Sequence, residues 1–402
     1  MTDVDAMTRR LRSRIAELEP VLLSTSHEIH QRPELQYQEH ETAARLCELI
    51  RRHAPDARLE LGSGGLETAF RASEGDPKSG PSIAFVAEYD ALPDVGHGCG
   101  HNIIGTAAVG AFLAASKLVN ELGGRVEVIG TPAEEGGGGK VLMLEGGVFS
   151  DVDLTIQMHP SWETYLCPPM LGMESIRCTF EGIAAHAGQA PFQGRSALAG
   201  VIQMFNAVDA MRHHVHPLSR IHGIITEGGK KPSVIPDTAR CHFFVRAPDA
   251  GSQQDLGDRV RNCARGAVIA TDTEVSFDKP EFPAYQPFLP SPSLGRVFSE
   301  ATAAEGFDPI ELDVPLLSAS NDIGNVSRRL PATMMMFGIS GGKRIPHHSR
   351  EFEAAAASEK GDQALLGSAA AMAATAARVL LQPDVASSAK AELVALLDAE
   401  KV

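Results

Sequence analysis

Between Glu88 and Asn102 the chain crowds carboxylates, imidazoles and a thiol into one short stretch, Glu88-Tyr89-Asp90-Ala91-Leu92-Pro93-Asp94-Val95-Gly96-His97-Gly98-Cys99-Gly100-His101-Asn102. A single glycine separates Cys99 from His101, and Gly98 precedes the pair. In an extended or turn backbone that spacing can aim both side chains at one point, and glycine allows conformations that a Cβ forbids. A thiolate beside an imidazole suits zinc or a similar divalent ion. The plain alternative is a buried cysteine next to two loop histidines, because free cysteine often behaves as a small core hydrophobe. The stretch alone leaves both readings open.

Three further clusters bear on the choice. Thr131-Pro132-Ala133-Glu134-Glu135 runs into Gly136-Gly137-Gly138-Gly139-Lys140. A phosphate-cradling loop is excluded there, since Glu134 and Val141 stand where that motif needs a glycine and a hydroxyl residue. His159-Pro160 and Pro346-His347-His348-Ser349-Arg350 supply more imidazoles. The candidate set is therefore Cys99, His101, Glu134, Glu135, His159 and one of His347 or His348. Five of these side chains could hold two divalent ions, and a two-ion site suits hydrolysis. The remaining carboxylate would take a proton from water and pass it to a leaving nitrogen. Adjacent glutamates at an extended strand end diverge, so one can face the ions and the other the substrate.

The elements that must position these residues follow from periodicity. Ile83–Ala87 is apolar and reads as a buried strand, and Ile103 to about Leu122 reads as a helix. Arg125–Gly130 and Asp153–Met158 read as strands that end on Glu134-Glu135 and on His159. Parallel neighbours would bring all three clusters to one sheet edge, where ligands bind in open α/β sheets. Residues 3–31 and Glu41–Ala54 read as helices, Arg58–Leu61 and Glu67–Arg71 as strands. His27 and His30 fall one residue short of a zinc-binding HExxH motif and read as cap or packing residues. From Glu174 the order becomes β-α-β-β-α-β: strand Ser175–Glu181, helix Ser196–His213, strands Ile221–Thr226 and Cys241–Val245, helix Gly257–Ile269, strand Thr273–Phe277. That split βαβ order closes a small inserted unit. Helix Leu294–Glu305, strand Ala332–Gly338, with its methionine run as core filler, and a long alanine-rich helix Ala354–Leu381 resume the first unit. The expected division is 1–172 and 284–402 for the catalytic domain and 173–283 for the insertion.

With 402 residues the chain exceeds one ordinary core. A formal charge of −15 excludes nucleic-acid backbone binding, which needs basic patches. The six cysteines are scattered without a CxxC, a pattern of reduced thiols that implies a cytoplasmic location. The acidic N-terminus, Met1-Thr2-Asp3-Val4-Asp5, reads as no leader. No apolar run is expected to reach membrane-spanning length, so no membrane partner is expected.

These motifs together resemble the aminoacylase and glutamate-carboxypeptidase family of two-metal peptidases, most closely its amidohydrolase branch. That branch holds aminoacylase-like dipeptidases, aminobenzoyl-glutamate hydrolases and plant indole-acetyl-amino-acid hydrolases. The resemblance covers nearly the whole chain. It rests on Ile29-His30-Gln31-Arg32-Pro33-Glu34-Leu35, Glu88–Pro93, His97–Asn102, Thr131–Gly138, Gln157-Met158-His159, Gly182-Ile183-Ala184-Ala185-His186-Ala187 and His348-Ser349-Arg350-Glu351-Phe352.

The resemblance implies an α/β fold: a zinc-peptidase-like catalytic domain with a mixed sheet and an inserted βαββαβ, ferredoxin-like lid and dimerisation domain. It implies Cys99, His101, Glu135, His159 and His348 as metal ligands, Glu134 as general base, and Asp90 as the carboxylate that orients a ligand. His186 would reach from the lid, across a homodimer, towards the substrate carbonyl or oxyanion. Arg246 and Asn325 would contact the substrate, Arg246 as a holder of its carboxylate. Zinc or manganese is the expected pair, with cobalt and nickel also compatible. The expected reaction is cleavage of an N-acyl amino acid or dipeptide by metal-activated water. Two alternatives use the same residues: a carboxypeptidase or deacetylase on larger substrates, and an inactive relative that binds a ligand through the lid. Asn102 and Glu88 stand where aspartate is usual, and Ser233 where asparagine is usual. Ser320–Ser327 is similar to the version in β-alanyl dipeptidase-like and aminobenzoyl-glutamate hydrolase-like members.

Overall fold

A computed structural model of the chain describes residues 4–400. Met1 to Asp3, the head of the acidic N-terminal stretch, lie outside the described residues. In chain order the first elements are α1 (Val4–Gln31), α2 (His40–His53), β1 (Arg58–Leu61), β2 (Phe70–Asp76), β3 (Ser82–Glu88), α3 (His101–Leu122), β4 (Gly124–Thr131), α4 (Gly139–Glu145), β5 (Leu154–Ser161) and β6 (Tyr165–Leu166). A second group follows: β7 (Gly172–Glu181), α5 (Ala197–Met211), β8 (Arg220–Glu227), β9 (Thr238–Ala247), α6 (Ala250–Thr271) and β10 (Glu274–Phe277). The chain closes with α7 (Pro292–Ala304), α8 (Ile323–Ser327), β11 (Ala332–Gly338), α9 (Arg350–Ala356), α10 (Glu359–Leu381) and α11 (Pro383–Ala399).

The larger sheet runs β1-β2-β4-β3-β5-β11-β6. Its centre is parallel, β3 lying between β4 and β5 and β11 beside β5, while β1, β2 and β6 pair antiparallel. The sheet is thus mixed, as the resemblance implies. Central strands β3 and β5 are buried along their whole length, which is why they read as continuous apolar runs instead of alternating ones. One face of the sheet packs on the large core of α1, α3 and α10; the other packs on a smaller core under α4 and α8. Met335 lies on the first face and Met334 and Met336 on the second, all buried, as filler on both sides.

The smaller sheet runs β10-β7-β9-β8, entirely antiparallel. With α5 and α6 on one face it has the ferredoxin-like order that the β-α-β-β-α-β reading anticipates. Its strand β9 alternates buried and half-exposed positions. Buried Cys241, Phe243 and Val245 face α5 and α6, so Phe244 and Arg246 face the opposite way. Phe244 there joins Val141, Met173, Phe282 and Tyr285, a small apolar patch that seats this sheet against the larger unit.

Four expectations need correction. The alanine-rich helix is two helices, broken at Ala357-Ser358, where the Ser358 side chain accepts the Gly361 N–H and starts α10. Strand β2 begins at Phe70, three residues after the expected start. His159 lies inside β5, which continues to Ser161. Two helices, α3 and α10, are long and apolar enough to cross a membrane, contrary to the expectation of none. Their most apolar windows are 94% and 78% buried inside the fold, and the two pack on each other. His27 and His30 pack α1 onto the C-terminal helices, His27 against Asp362 at 2.7 Å and His30 against the Glu353 carbonyl at 2.9 Å.

Candidate functional site

The carboxyl ends of β3, β4 and β5 converge at one edge of the larger sheet. Strand β3 leads through Glu88 and Asp90 to a loop that turns into α3 at His101. Gly100 makes that turn with φ 76°, and a Cβ on it would lie 2.7 Å from the Pro160 ring. Only glycine meets both conditions, so Cys99 and His101 arrive side by side.

The two buried imidazoles are oriented by their Nδ1 atoms. His101 Nδ1 donates to Asp90 Oδ1 at 3.2 Å, and His159 Nδ1 donates to the Pro160 carbonyl at 2.8 Å. Each therefore turns its Nε2 to the site; burial opposes charge on His101, yet Asp90, Glu135 and Glu88 push its imidazole up, to about 9. His159 Nε2 lies 3.5 Å from Cys99 Sγ. His101 Nε2 has no hydrogen-bond partner and faces three carboxylates, Glu135 at 3.7 Å and Glu88 and Glu134 at 3.8 Å. His348 Nε2 lies 3.3 Å from Glu135 Oε2. His348 has φ 62°, which turns it towards the site, while His347 packs on Phe352 and reaches the Pro160 carbonyl at 3.2 Å. Of the two histidines, His348 is the one that lies against Glu135.

These donors fall into overlapping groups whose atoms lie within 4.8 Å of one another: Cys99, His101 and His159; Cys99, Glu135 and His348; and His101, Glu134 and Glu135. The first two groups share Cys99 and together contain all five residues implied as ligands. Burial raises the Cys99 thiol well above its usual range, and Glu135 and Glu134 add to it. Burial likewise raises Glu134 strongly, reinforced by Glu88, Glu135 and Asp322 and opposed by Lys140. Among the described residues His101 Nε2 and Glu135 Oε1 are buried without a hydrogen-bond partner, and a divalent cation between them would supply one. The donor set, one soft sulfur with imidazoles and carboxylates, fits two such ions.

Asp90 bridges two members of the cluster. Its Oδ1 meets His101 and its Oδ2 accepts the Glu135 N–H at 3.0 Å. Burial works against its charge, yet His101 and the amides of Glu135 and Glu134 hold the carboxyl below its usual range.

The remaining expected residues lie farther out. His186 is exposed in the loop after β7, and its Nδ1 accepts the N–H groups of Gly188 and Gln189 at 3.2 and 3.1 Å. The proton is thereby left on Nε2, which is free to donate. Among the described residues no hydrogen bond or ion pair joins His186 to the cluster. Arg246 donates to the Ser320 hydroxyl at 2.9 Å and the Ser318 carbonyl at 3.3 Å. Asn325, expected to contact the substrate, is held by backbone. Its amide accepts from Gln286 N–H at 2.9 Å and donates to the Ala284 carbonyl at 3.0 Å, so both ends are engaged by backbone.

Two groups escaped the sequence reading. Lys140 is fully buried, with its ammonium 2.6 Å from Glu88 and also on Asp322, while Asn321 donates to Glu88 at 3.0 Å. Glu39 is equally buried, behind Ala133. A lysine after a glycine run and beside two glutamates was the available signal for the first.

The family description "Peptidase family M20/M25/M40" matches residues 84–371. The chain is 32% identical to the Xaa-Arg dipeptidase of Mus musculus, over all of this chain and 95% of that protein. It is 34% identical to a p-aminobenzoyl-glutamate hydrolase chain of Escherichia coli K12, over 69% of this chain and 61% of that one. A dinuclear metal-binding peptidase of Bacillus subtilis shares the fold, with a TM-score of 0.67 at 20% identity, over 90% of this chain and 98% of that one. With its sheet edge, its donor groups and a near full-length likeness to the Xaa-Arg dipeptidase, the chain belongs to peptidase family M20/M25/M40.

Proposed function

We propose that this hydrolase cleaves the amide bond of an N-acyl amino acid or a dipeptide, using two divalent ions and Glu134 as general base. The observation that carries the reading is the pair of donor groups hinged on Cys99, with Glu134 beside them and outside both. Cys99, His101 and His159 would hold one ion, and Cys99, Glu135 and His348 the other. Zinc or manganese is the proposed pair. Bound there, the ions would polarise the scissile carbonyl and acidify an attacking water.

The chain's own residues do the rest. Glu134, buried and crowded by Glu88, Glu135 and Asp322, takes the proton of the water and returns it to the leaving nitrogen. Asp90 keeps the proton on His101 Nδ1, so that Nε2 stays a donor of its lone pair. His186 offers its Nε2–H to the carbonyl oxygen as charge develops there. Arg246, already held by Ser318 and Ser320, receives the substrate carboxylate. Asn325 fixes the 284–286 segment and keeps one amide hydrogen and one lone pair for the substrate.

The dipeptidase and aminobenzoyl-glutamate hydrolase names of its relatives support this substrate class. A homodimer through the smaller sheet is proposed on the exposed strand β8, an edge strand carrying Ile224 and Ile225 in the open. The six free cysteines support a reducing, cytoplasmic setting. The test is a screen of metal-loaded protein against N-acyl amino acids and dipeptides, with light scattering for the dimer. Hydrolysis of at least one of these amides is expected; none with zinc, manganese, cobalt or nickel overturns the reading.

A further inference from the structure

One buried carboxylate has no part in that scheme. Glu39 stands just before α2 and is fully buried. Its side chain does not cap its own helix, because Glu34 accepts the free first-turn amides, those of Glu41 at 3.0 Å and Thr42 at 2.7 Å. Glu39 Oε1 instead accepts the N–H of Tyr37 at 2.9 Å and the N–H of Ala133 at 3.0 Å, and Oε2 accepts the Thr68 hydroxyl at 2.9 Å. Burial and the Asp90 carboxylate push its carboxyl up, to about 7, with no cation opposing them. A carboxylate buried without a counter-charge is costly to keep.

Both amides belong to residues in the left-handed region, Tyr37 with φ 61° and Ala133 with φ 58°. Side chains with a Cβ disfavour that region, and surrounding contacts must hold them in it. Ala133 directly precedes Glu134 and Glu135, and its carbonyl accepts the Gly137 N–H at 3.0 Å. The Tyr37 hydroxyl donates to the Gly137 carbonyl at 2.6 Å. Gly137 has no room for a side chain: a Cβ would lie 2.5 Å from Ala133 Cβ and 2.6 Å from the Tyr37 ring. A single oxygen atom thus holds both strained turns, and one turn is strapped onto the other.

We propose that Glu39 is a positioning residue: through the Ala133 N–H it fixes the turn from which Glu134 and Glu135 project, and through Tyr37 it locks the glycine run behind them. The proposal rests on the reading of Glu134 as base and Glu135 as ligand. Glu39→Leu removes the acceptor at similar bulk, Glu39→Gln keeps an oxygen for the two amides, and Tyr37→Phe cuts only the strap to Gly137.

Each variant is compared with wild type in backbone amide exchange over 130–138, in zinc binding by calorimetry, and in steady-state hydrolysis. Glu39→Leu is expected to speed exchange, weaken zinc binding about tenfold or more, and lower kcat about tenfold or more with KM within about threefold. Glu39→Gln is expected to stay within about threefold of wild type throughout, since it retains the acceptor. Unchanged exchange and unchanged zinc affinity in Glu39→Leu overturn the proposal. So does an equal loss in Glu39→Gln, which assigns the effect to charge or folding. If Glu39→Leu does not fold, Tyr37→Phe decides: exchange over 130–138 is expected to rise, and exchange equal to wild type overturns the clamp. If wild type binds no zinc and hydrolyses no amide, the hydrolase reading falls, while exchange in the variants still judges Glu39.

Discussion

Lys140 and Asp322 meet twice in the interior: the Lys140 N–H donates to Asp322 Oδ2 at 2.9 Å, and its ammonium lies on Oδ1. The same ammonium reaches Glu88, so one cation serves two buried carboxylates beneath Glu134. Burial would raise the Glu88 carboxyl, but Lys140 holds it down, to about 2. Replacing Lys140 by methionine leaves both carboxylates buried and unpaired. A loss of about 3–5 kcal/mol is expected from such a broken pair. Denaturant midpoints check it, and adding Asp322→Asn to Lys140→Met is expected to restore part of the loss.

Glu134→Gln removes the base and keeps the shape of the site. Metal content is expected to stay at the wild-type value while kcat falls roughly a hundredfold or more. Turnover at the wild-type rate would remove Glu134 from the mechanism.

Cys99 belongs to both donor groups, whereas His348 belongs to one. Cys99→Ala is therefore expected to weaken both ions, and His348→Ala only the one shared with Glu135. Elemental analysis after dialysis reads the difference directly. Equal ratios in the two variants would count against a shared sulfur.

His186 presents an Nε2–H from an exposed loop of the smaller sheet. His186→Ala is expected to cost roughly a hundredfold or more in kcat, the scale of a lost oxyanion donor, without metal loss. Mixed dimers carrying His186→Ala on one protomer and Glu134→Gln on the other are expected to regain activity. If they stay silent, the histidine acts within its own chain.

Glu39 supplies a pH test. Its carboxyl sits at about 7 in the folded chain, against an ordinary 4.5. Between those values the folded chain keeps a proton that the unfolded chain has lost. The stability drawn from Glu39 is thus full at low pH and falls as pH rises through about 7. Glu39→Gln has no such titration. Relative to wild type it is expected to gain up to about 3 kcal/mol between pH 5 and pH 8. Paired thermal melts at the two pH values show whether the gap opens.

Much of the site was readable because its donors sit at or near the carboxyl ends of strands. Glu88, Glu134-Glu135 and His159 each close or end an apolar run, and parallel pairing of β3, β4 and β5 brings such ends together. The βαββαβ order showed itself in the change of sequence pattern after Glu174, and β9 does alternate in the fold, whereas β7 is buried over most of its length. Lys140 and Glu39 were not readable in that way. Their partners lie 182 and 94 positions away along the chain, and no local period marks a residue whose role is set by a distant one. The break between α9 and α10 was hidden by alanine on both sides, which favours helix wherever it stands. Asn325 has a second role that its polar loop did not show, since it holds the backbone of 284–286.

His348 is 54% exposed, while His101 is sealed from solvent and His159 nearly so. The two ions would consequently differ in residence. The one on the His348 side can leave by a short path, so a chelator would empty it first, and the metal supply of the cell would decide its identity. The other would be captured once, as the chain folds around it.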